Sequence, residues 1–273
     1  MTLVDGIHTN DVSALDRGLA YGDGLFETLA VVDGHILNWQ SHADRLRRGC
    51  DALSIPQPDF TLLADEARAV ASGTDRSVVK IIITRGSGGR GYTPAPDTVA
   101  VRIVTRHRWP DEYARREDSG ISVCIAQHRI SHNPHLAGVK HLNRLDQVLA
   151  SIELAKRGVT EALMLDMNGF VIEATRCNIF AIHGDLMVTP CLNNCGVSGV
   201  MRSIILQLAP SVGLRSQETE LTLHAVCSAG EVFLCNAIAG IWPVVSIDEP
   251  ERAFTIGENT RLLQAALRAG NHH

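Results

Sequence analysis

Lysine is scarce in this chain: the three lysines are Lys80, Lys140 and Lys156, and only Lys140 stands where a reactive amine could act. Lys80 falls in the middle of a β-branched run, and Lys156 ends a helical pattern, where a cation suits the helix dipole. Lys140 stands just before a helix predicted over residues 141–157. A helix N-terminus disfavours a cation, which favours the neutral, nucleophilic amine. Lys140 is therefore either a lysine for covalent chemistry or a solvated lysine tolerated at a helix start.

A carboxylate and a helix start could supply further groups of a ligand site. Glu173 lies in an apolar strand pattern, where it needs a partner. That partner is either a protonated ring nitrogen of a ligand or a side chain such as Arg176. Ser198 and Gly199 precede a helix predicted to begin at Val200. Such a start either binds an anion through its amides or is simply N-capped.

Arg45 is the fourth feature, on a helix predicted over residues 39–53 from a 4-3-4-3 spacing of apolar residues. Its guanidinium either faces a partly buried anion or covers apolar surface and meets solvent. An amine, a carboxylate and two anion contacts together form the set that holds pyridoxal phosphate.

A glycine-rich segment at residues 86–91 fits the dinucleotide-binding pattern G-x-G-x-x-G, and it follows a strand. That pattern needs a helix to begin at its last glycine, but Pro94 and Pro96 follow closely and forbid a helix interior. We therefore predict a loop between two strands. Arg85 and Arg90 favour contact with an anion over a connector without a role.

The order of elements predicts two α+β domains, because strands and helices alternate without a regular βαβ repeat. We expect a small domain over residues 1–106, a charged linker over 107–119 and a larger cofactor-binding domain over 120–273. The predicted helices cover about 39–53, 60–71, 141–157, 200–208, 223–229 and 258–268. The predicted strands cover 77–84, 98–105, 121–127, 161–166, 171–182, 186–189, 232–235 and 242–247.

The bulk properties exclude several classes of protein. A net charge of −5 over 273 residues gives no sign of a nucleic-acid partner, and no apolar run is long enough to cross a membrane. The N-terminus lacks a signal-peptide pattern, so we expect a cytoplasmic protein. Cys191 and Cys195 are the only close pair among seven cysteines, and their spacing is a weak metal signal. We therefore expect no metal.

Four longer segments together resemble the class IV pyridoxal-phosphate enzymes, which have the D-amino-acid-aminotransferase-like fold. They are Asp16–Glu27, Arg85–Tyr92, Asn133–Leu149 and Ile172–Phe180, and the likeness ends near Trp242-Pro243. Within the class, the Lys-His-Leu-Asn-Arg-Leu stretch that begins at Lys140 is similar to the aminodeoxychorismate lyases. The Gly-Asp-Gly stretch and the Glu173 strand occur across the class, including aminotransferases.

The resemblance implies a role for each matching residue. Lys140 holds the aldehyde of pyridoxal 5′-phosphate and acts as acid and base, and Glu173 pairs with the pyridine nitrogen. Asn178 contacts the ring oxygen. The phosphate contacts are Arg45, Ser198, Gly199, Val200, Met201, Asn236 and Ala237. The loop 85–92 covers the substrate, which contacts Phe26, Arg90 and Tyr92. The resemblance also implies a homodimer.

The activity that the resemblance implies is elimination of pyruvate from 4-amino-4-deoxychorismate, which yields p-aminobenzoate for folate biosynthesis. The alternative is a class IV aminotransferase acting on D-amino acids or branched-chain L-amino acids, because it shares Lys140, Glu173 and the phosphate contacts. A binding protein without activity on the same fold is a third possibility, and it predicts no bound cofactor.

Overall fold

The structure is a computed structural model that describes residues 1–248 and 250–272. The chain divides into two compact units: Met1–Trp109 with Val139–Asn143, and Pro110–Gly138 with Arg144–His273. His273, the last residue of the domain predicted over 120–273, lies outside the described residues. Among the described residues, none of the helices has the length and apolarity needed to span a membrane.

The first unit is built around an antiparallel six-stranded sheet with the strand order β2-β1-β6-β5-β3-β4. Its strands are β1 (Thr2–Val4), β2 (Ile7–His8), β3 (Gly24–Val32), β4 (His35–Ile36), β5 (Arg76–Thr84) and β6 (Val101–Arg108). Its helices are α1 (Arg17–Tyr21), α2 (Trp39–Leu53) and α3 (Phe60–Ala71). The buried faces of α2 and α3 share one apolar core with β3, β5 and β6.

The hairpin of β3 and β4 follows from its turn residues. Asp33 and Gly34 both adopt positive φ, 48° and 77°, which a two-residue hairpin turn requires. The predicted helices over 39–53 and 60–71 are confirmed as α2 and α3, and Asp59 caps α3 by accepting from the N–H groups of Thr61 and Leu62.

The second unit contains a mixed sheet with the order β12-β11-β10-β14-β15-β7-β8-β9-β13, with β16 paired to β15. The strands are β7 (Ile121–Ile125), β8 (Glu161–Leu165), β9 (Phe170–Ala174), β10 (Asn178–His183), β11 (Leu186–Pro190), β12 (Arg215–Thr219), β13 (Leu221–Thr222), β14 (Glu231–Asn236), β15 (Gly240–Ile247) and β16 (Arg252–Ala253). The helices are α4 (Tyr113–Ser119), α5 (Leu145–Arg157), α6 (Val200–Leu208), α7 (Leu223–Ser228) and α8 (Glu258–Ala269), with a 3-10 turn at Ala209–Val212.

Two predicted boundaries in the middle of the chain were wrong. The strand predicted over 98–105 is β6 and continues to Arg108, because β5 offers pairing partners as far as Ser77. The predicted linker, residues 107–119, contains the end of β6 and the whole of α4, and its role as the connection between two domains stays a prediction. Helix α4 is only seven residues long and mostly charged, so it has no apolar periodicity that would predict a helix.

The strand predicted over 171–182 is two strands, β9 and β10, separated by residues 175–177. A hydrogen bond of 2.7 Å from the N–H of Ala174 to the carbonyl of Cys177 closes the turn. Thr175 and Arg176 both bind the buried carboxylate of Glu161. The turn is needed because β9 pairs with β8 whereas β10 pairs with β14.

Candidate active site

Lys140 lies in an extended segment, residues 139–143, which belongs to the first unit. The N–H of Phe26 donates to the Lys140 carbonyl over 3.0 Å, and the N–H of Leu142 donates to the Gly24 carbonyl over 2.9 Å. The Lys140 Nζ lies 4.2 Å from the centroid of the Phe26 ring. The start of β3 therefore fixes the backbone of the lysine, and the aromatic ring lies beside its amine.

The helix predicted to begin at residue 141 begins at Leu145 instead. Residues 141–143 are drawn out of the helical pattern because they pair with β3, where Leu25 and His141 form an isolated bridge. Lys140 therefore does not stand directly before the first helical turn, as the dipole argument assumed. Its position beside the Phe26 ring was not predicted.

Gly24 of the Gly-Asp-Gly stretch makes room for the lysine segment. A Cβ at this position would lie 2.5 Å from the carbonyl oxygen of Ile83 and 2.8 Å from Cδ1 of Leu142. Only glycine therefore lets residues 139–143 approach β3 this closely.

Asp23, between the two glycines, anchors the glycine-rich loop. Its carboxylate accepts hydrogen bonds from Arg85, at 2.7 Å, and from Arg17, at 2.9 Å. Burial raises the pKa of Asp23, but the bonds from Arg85 and Arg17 outweigh it and lower the pKa below its usual value. Arg17 also donates to the carbonyls of Gly91, at 2.9 Å, and Tyr92, at 2.8 Å.

The loop 85–92 joins β5 to β6 without a helix, which confirms that it is not a dinucleotide-binding turn. Arg90 and Tyr92 both expose their side chains at its tip. Tyr92 lies beside Tyr21, with ring centroids 5.5 Å apart. The structure thus presents the two predicted substrate contacts on the surface of a loop held at its backbone by Arg17.

Arg45 lies in a buried cluster with Glu27 and His42 that the sequence did not reveal. Its guanidinium donates to both carboxylate oxygens of Glu27, at 2.7 and 2.6 Å, and Nδ1 of His42 lies 2.6 Å from the same group. Burial raises the pKa of Glu27, but the charges of Arg45 and His42 outweigh it and hold the pKa at about 2. Burial lowers the pKa of His42 more than the Glu27 carboxylate raises it.

Glu173 occupies β9 in the second unit and is buried. Its Oε1 accepts from Nε2 of Gln147 at 3.0 Å, and its Oε2 accepts from the N–H of Val197 at 2.9 Å. Arg176, the structural partner considered from the sequence, pairs with Glu161 instead. Gln147 was missed as a site residue, although it lies within the 133–149 segment.

The loop before α6 is held against the same carboxylate. The Nδ2 of Asn178 donates to the Val197 carbonyl at 2.8 Å, and the N–H of Ser198 donates to the Gly138 carbonyl at 3.0 Å. A Cβ on Gly199 would lie 1.9 Å from Oδ1 of Asn178, so this position requires glycine. Asn178 thus supports the loop. Its predicted contact with the cofactor oxygen stays a prediction.

The predicted helix over 200–208 is confirmed as α6, and its N-cap residue, Gly199, makes no side-chain capping hydrogen bond. The amides of Val200 and Met201 belong to its first turn, where backbone N–H groups lack helical acceptors. A helix start of this kind suits a phosphate.

Asn236 and Ala237 lie in the turn between β14 and β15. The Oδ1 of Asn236 accepts from the N–H groups of Ile238, at 2.9 Å, and Ala239, at 2.7 Å. The Asn236 side chain therefore shapes the turn, and the phosphate contacts predicted for Asn236 and Ala237 stay predictions.

Each unit by itself contains groups that suit part of a phosphorylated aldehyde with a basic ring nitrogen. In the first unit, the amine of Lys140 suits the aldehyde and the buried guanidinium of Arg45 suits the phosphate. In the second unit, the carboxylate of Glu173 is buried and accepts from two donors, and a helix starts at Val200 after an N-cap glycine. A carboxylate held in this way can keep a ring nitrogen protonated.

The chain is similar over most of its length to known proteins. Residues 24–247 match the family model described as amino-transferase class IV. The chain is 35% identical to an aminodeoxychorismate lyase of Vibrio harveyi over 98% of this chain and 99% of that protein. It is 33% identical to a putative branched-chain-amino-acid aminotransferase of Methanocaldococcus jannaschii, over 87% of this chain and 83% of that protein.

A solved structure covers the whole chain. It is the 4-amino-4-deoxychorismate lyase from Pseudomonas aeruginosa, with 40% identity, a TM-score of 0.94 and full coverage of both chains. The fold is accordingly that of the class IV enzymes, and the chain belongs to the class IV aminotransferase family.

Proposed function

We propose that this chain is a 4-amino-4-deoxychorismate lyase, which eliminates pyruvate and releases p-aminobenzoate, and that it serves folate biosynthesis. The observation that carries the proposal is full-length similarity to two lyases, at 35% and 40% identity, together with a Lys140 segment fixed against β3. The alternative, an aminotransferase, rests on the relatives of that class, such as the one from Methanocaldococcus jannaschii.

The cofactor is pyridoxal 5′-phosphate. When bound, it stores the electron pair left on the amine-bearing carbon of the substrate after that carbon loses its proton. Arg45, the start of α6 at Val200 and Met201, and the backbone at Ala237 would hold its phosphate. Lys140 would bind its aldehyde carbon covalently, and Asn178 would stand near its ring oxygen.

Lys140 performs the proton transfers. With the substrate amine held by the cofactor, the Lys140 amine would take the proton from the amine-bearing ring carbon. The C–O bond to the enolpyruvyl group on the neighbouring carbon then breaks, and the ring becomes aromatic. Lys140 would return the proton to the departing enolpyruvate, which gives pyruvate. Its amine would then take back its place on the aldehyde carbon of the cofactor, which frees the amine of p-aminobenzoate.

Glu173 would keep a proton on the ring nitrogen of the cofactor, which would make the ring a better electron sink. Gln147 and the Val197 amide hold both carboxylate oxygens in place, so the carboxylate cannot rotate away. Arg90 and Tyr92 would bind the substrate, whose carboxylates suit the guanidinium of Arg90. Phe26 would bound the space beside the Lys140 amine.

We also propose a homodimer and a cytoplasmic location. Helix α5 exposes a stripe of apolar side chains at helical spacing: Leu145, Val148, Leu149 and Ile152. A helix in contact with water normally turns a polar face outward, so this stripe supports a surface covered by a second copy. All seven cysteines are free thiols, which suits a reducing compartment.

The reaction class is tested by assaying the same protein for lyase activity and for aminotransferase activity. The purified holoprotein is incubated with 4-amino-4-deoxychorismate, and p-aminobenzoate is followed by its fluorescence. In parallel it is given D-alanine or a branched-chain L-amino acid with 2-oxoglutarate, and glutamate is measured. The proposal expects rapid p-aminobenzoate formation and at most slow glutamate formation. Rapid glutamate formation without p-aminobenzoate would show that the protein is an aminotransferase and not a lyase.

A further inference from the structure

Three side chains with metal-binding atoms meet in the second unit, apart from the groups assigned above. They are His132, Asp166 and Cys195, and one imidazole nitrogen, one carboxylate oxygen and the thiol sulfur all lie within 4.8 Å of one another. Asp166 and Cys195 are buried, and His132 is partly exposed. The hydrogen bonds of Glu173 to Gln147 and Val197 do not involve the side chains of these three residues.

The fold brings the three residues from separate segments. Asp166 directly follows β8, and the N–H groups of Asn168 and Phe170 both donate to its Oδ1, at 3.0 and 2.9 Å. Its other oxygen, Oδ2, lies 2.9 Å from Nε2 of His132. Cys195 approaches from the loop between β11 and α6. The backbone of the β8–β9 hairpin thus orients the free edge of the carboxylate toward the other two groups.

We propose that His132, Asp166 and Cys195 bind a thiophilic divalent cation, with Zn²⁺ as the best match. An imidazole, a carboxylate and a thiolate are the ligand types of zinc sites, and three protein ligands leave the fourth position of a tetrahedron to water. Asp166 also lines a groove together with Asn168 and Asn194, among others.

The charges of the cluster suit a dication. The carboxylate of Asp166 lies beside the thiol of Cys195 and the imidazole of His132, and an anionic group at this position attracts a cation. On binding, Zn²⁺ replaces the thiol proton, which leaves to solvent, and the imidazole donates the lone pair of Nε2 with its own proton on Nδ1. The two negative ligands then balance the charge of the ion.

The position of the cluster links it to the carboxylate of Glu173. Cys195 stands two residues before Val197, whose N–H donates to Glu173 and whose carbonyl accepts from Asn178. A cation on Cys195 therefore ties the β8–β9 hairpin, through Asp166, to the loop that orients Glu173.

Cobalt serves as the probe, because tetrahedral Co²⁺ absorbs in the red part of the spectrum, where pyridoxal phosphate does not. The holoprotein is titrated with Co²⁺, and then with Zn²⁺ to displace it. The variants are Cys195→Ser and His132→Ala, and the matched control is Cys191→Ser, which removes a partly exposed thiol from the same loop. Retained cofactor absorbance verifies that each variant is folded.

The wild type and Cys191→Ser are expected to show the tetrahedral bands and to lose them on addition of Zn²⁺. Cys195→Ser and His132→Ala are expected to weaken Co²⁺ binding by at least the roughly 10- to 100-fold that loss of an outer partner costs a metal site. Absence of the bands in the wild type, or equal bands in wild type and Cys195→Ser, would overturn the proposal. Loss of the bands only in Cys191→Ser would also overturn it.

Discussion

The backbone N–H of Val197 donates a hydrogen bond of 2.9 Å to Oε2 of Glu173. The bond joins the loop before α6 to the middle of β9, so the helix start and the buried carboxylate are positioned together. The same loop residue accepts from Asn178. A change at Glu173 that keeps an oxygen acceptor for this N–H should therefore leave the helix start in place and affect the chemistry through the cofactor ring.

Glu173→Gln is expected to lower kcat for p-aminobenzoate formation by about 100-fold or more, within the range for groups that control a proton in catalysis. The amide keeps the shape of the side chain but cannot hold a proton on the ring nitrogen. Steady-state kinetics measures the effect, with cofactor absorbance as the check on binding.

The matched variant is Glu161→Gln, which alters another buried carboxylate of the same unit, paired with Arg176. It should unfold at lower urea concentration but keep a kcat within about twofold of the wild type. If Glu173→Gln retained the wild-type kcat, the role of Glu173 would have to be abandoned.

Glu27→Gln is expected to destabilise the protein by about 3 kcal/mol at neutral pH, because it leaves the buried guanidinium of Arg45 without its anionic partner. The folded-state pKa of Glu27, about 2, lies below its ordinary value of 4.5. The stability from this group is therefore fully present above pH 4.5 and lost as the pH falls toward 2.

Urea unfolding at several pH values measures this dependence. The difference in unfolding free energy between wild type and Glu27→Gln should shrink between pH 4.5 and 2. Asp44→Asn, which breaks the exposed pair with Arg47, serves as the control and should cost less than about 1 kcal/mol. A difference between wild type and Glu27→Gln that stayed constant over this pH range would speak against a buried, charged Glu27.

Arg17→Lys is expected to raise KM for 4-amino-4-deoxychorismate about tenfold with a smaller change in kcat. The guanidinium donates to the carbonyls of Gly91 and Tyr92, and each such charge-assisted bond contributes roughly 1.5–3 kcal/mol. Lysine cannot reproduce both bonds, so the loop carrying Arg90 loses its fixed backbone.

Initial rates over a range of substrate concentrations separate KM from kcat for this variant. Arg68→Lys, in an exposed pair with Asp65 on α3, is the matched change and should leave both constants unaltered. An unchanged KM in Arg17→Lys would show that the loop does not need this anchor for substrate binding.

Leu149→Glu is expected to convert the proposed homodimer to a monomer, because it places a charge in the apolar stripe of α5. Size-exclusion chromatography with light scattering reports the mass. Met167→Glu is the matched control, since Met167 is also an exposed apolar residue, in the turn between β8 and β9. A wild-type protein that elutes as a monomer would remove the dimer from the account.

The sequence predicted helices α2, α3 and α6 with their observed bounds, because apolar periodicity coincides with burial in each. It misplaced the start of α5, since residues 141–144 fit a helix locally and only their pairing with β3 draws them out. Long-range pairing of this kind leaves no periodic signal in the segment itself.

The site was predictable as residue types but not as contacts. Lys140 could be selected because the chain has only three lysines, and Glu173 because it is a carboxylate in an apolar strand pattern. The ion pair between Glu27 and Arg45 could not, because the partners lie on different elements, 18 residues apart in sequence. The signal that was present, His42 three residues before Arg45 on the same helix, fits a solvated helix face equally well.

The most direct measurement compares p-aminobenzoate formation by the wild type, Lys140→Ala and Lys156→Ala, each loaded with pyridoxal phosphate and given 4-amino-4-deoxychorismate. Lys140→Ala is expected to lower kcat roughly 10²–10⁴-fold, because it removes the group that takes and returns the proton. Lys156→Ala, a surface change on α5, should stay within about twofold of the wild type. Wild-type turnover by Lys140→Ala would contradict the account.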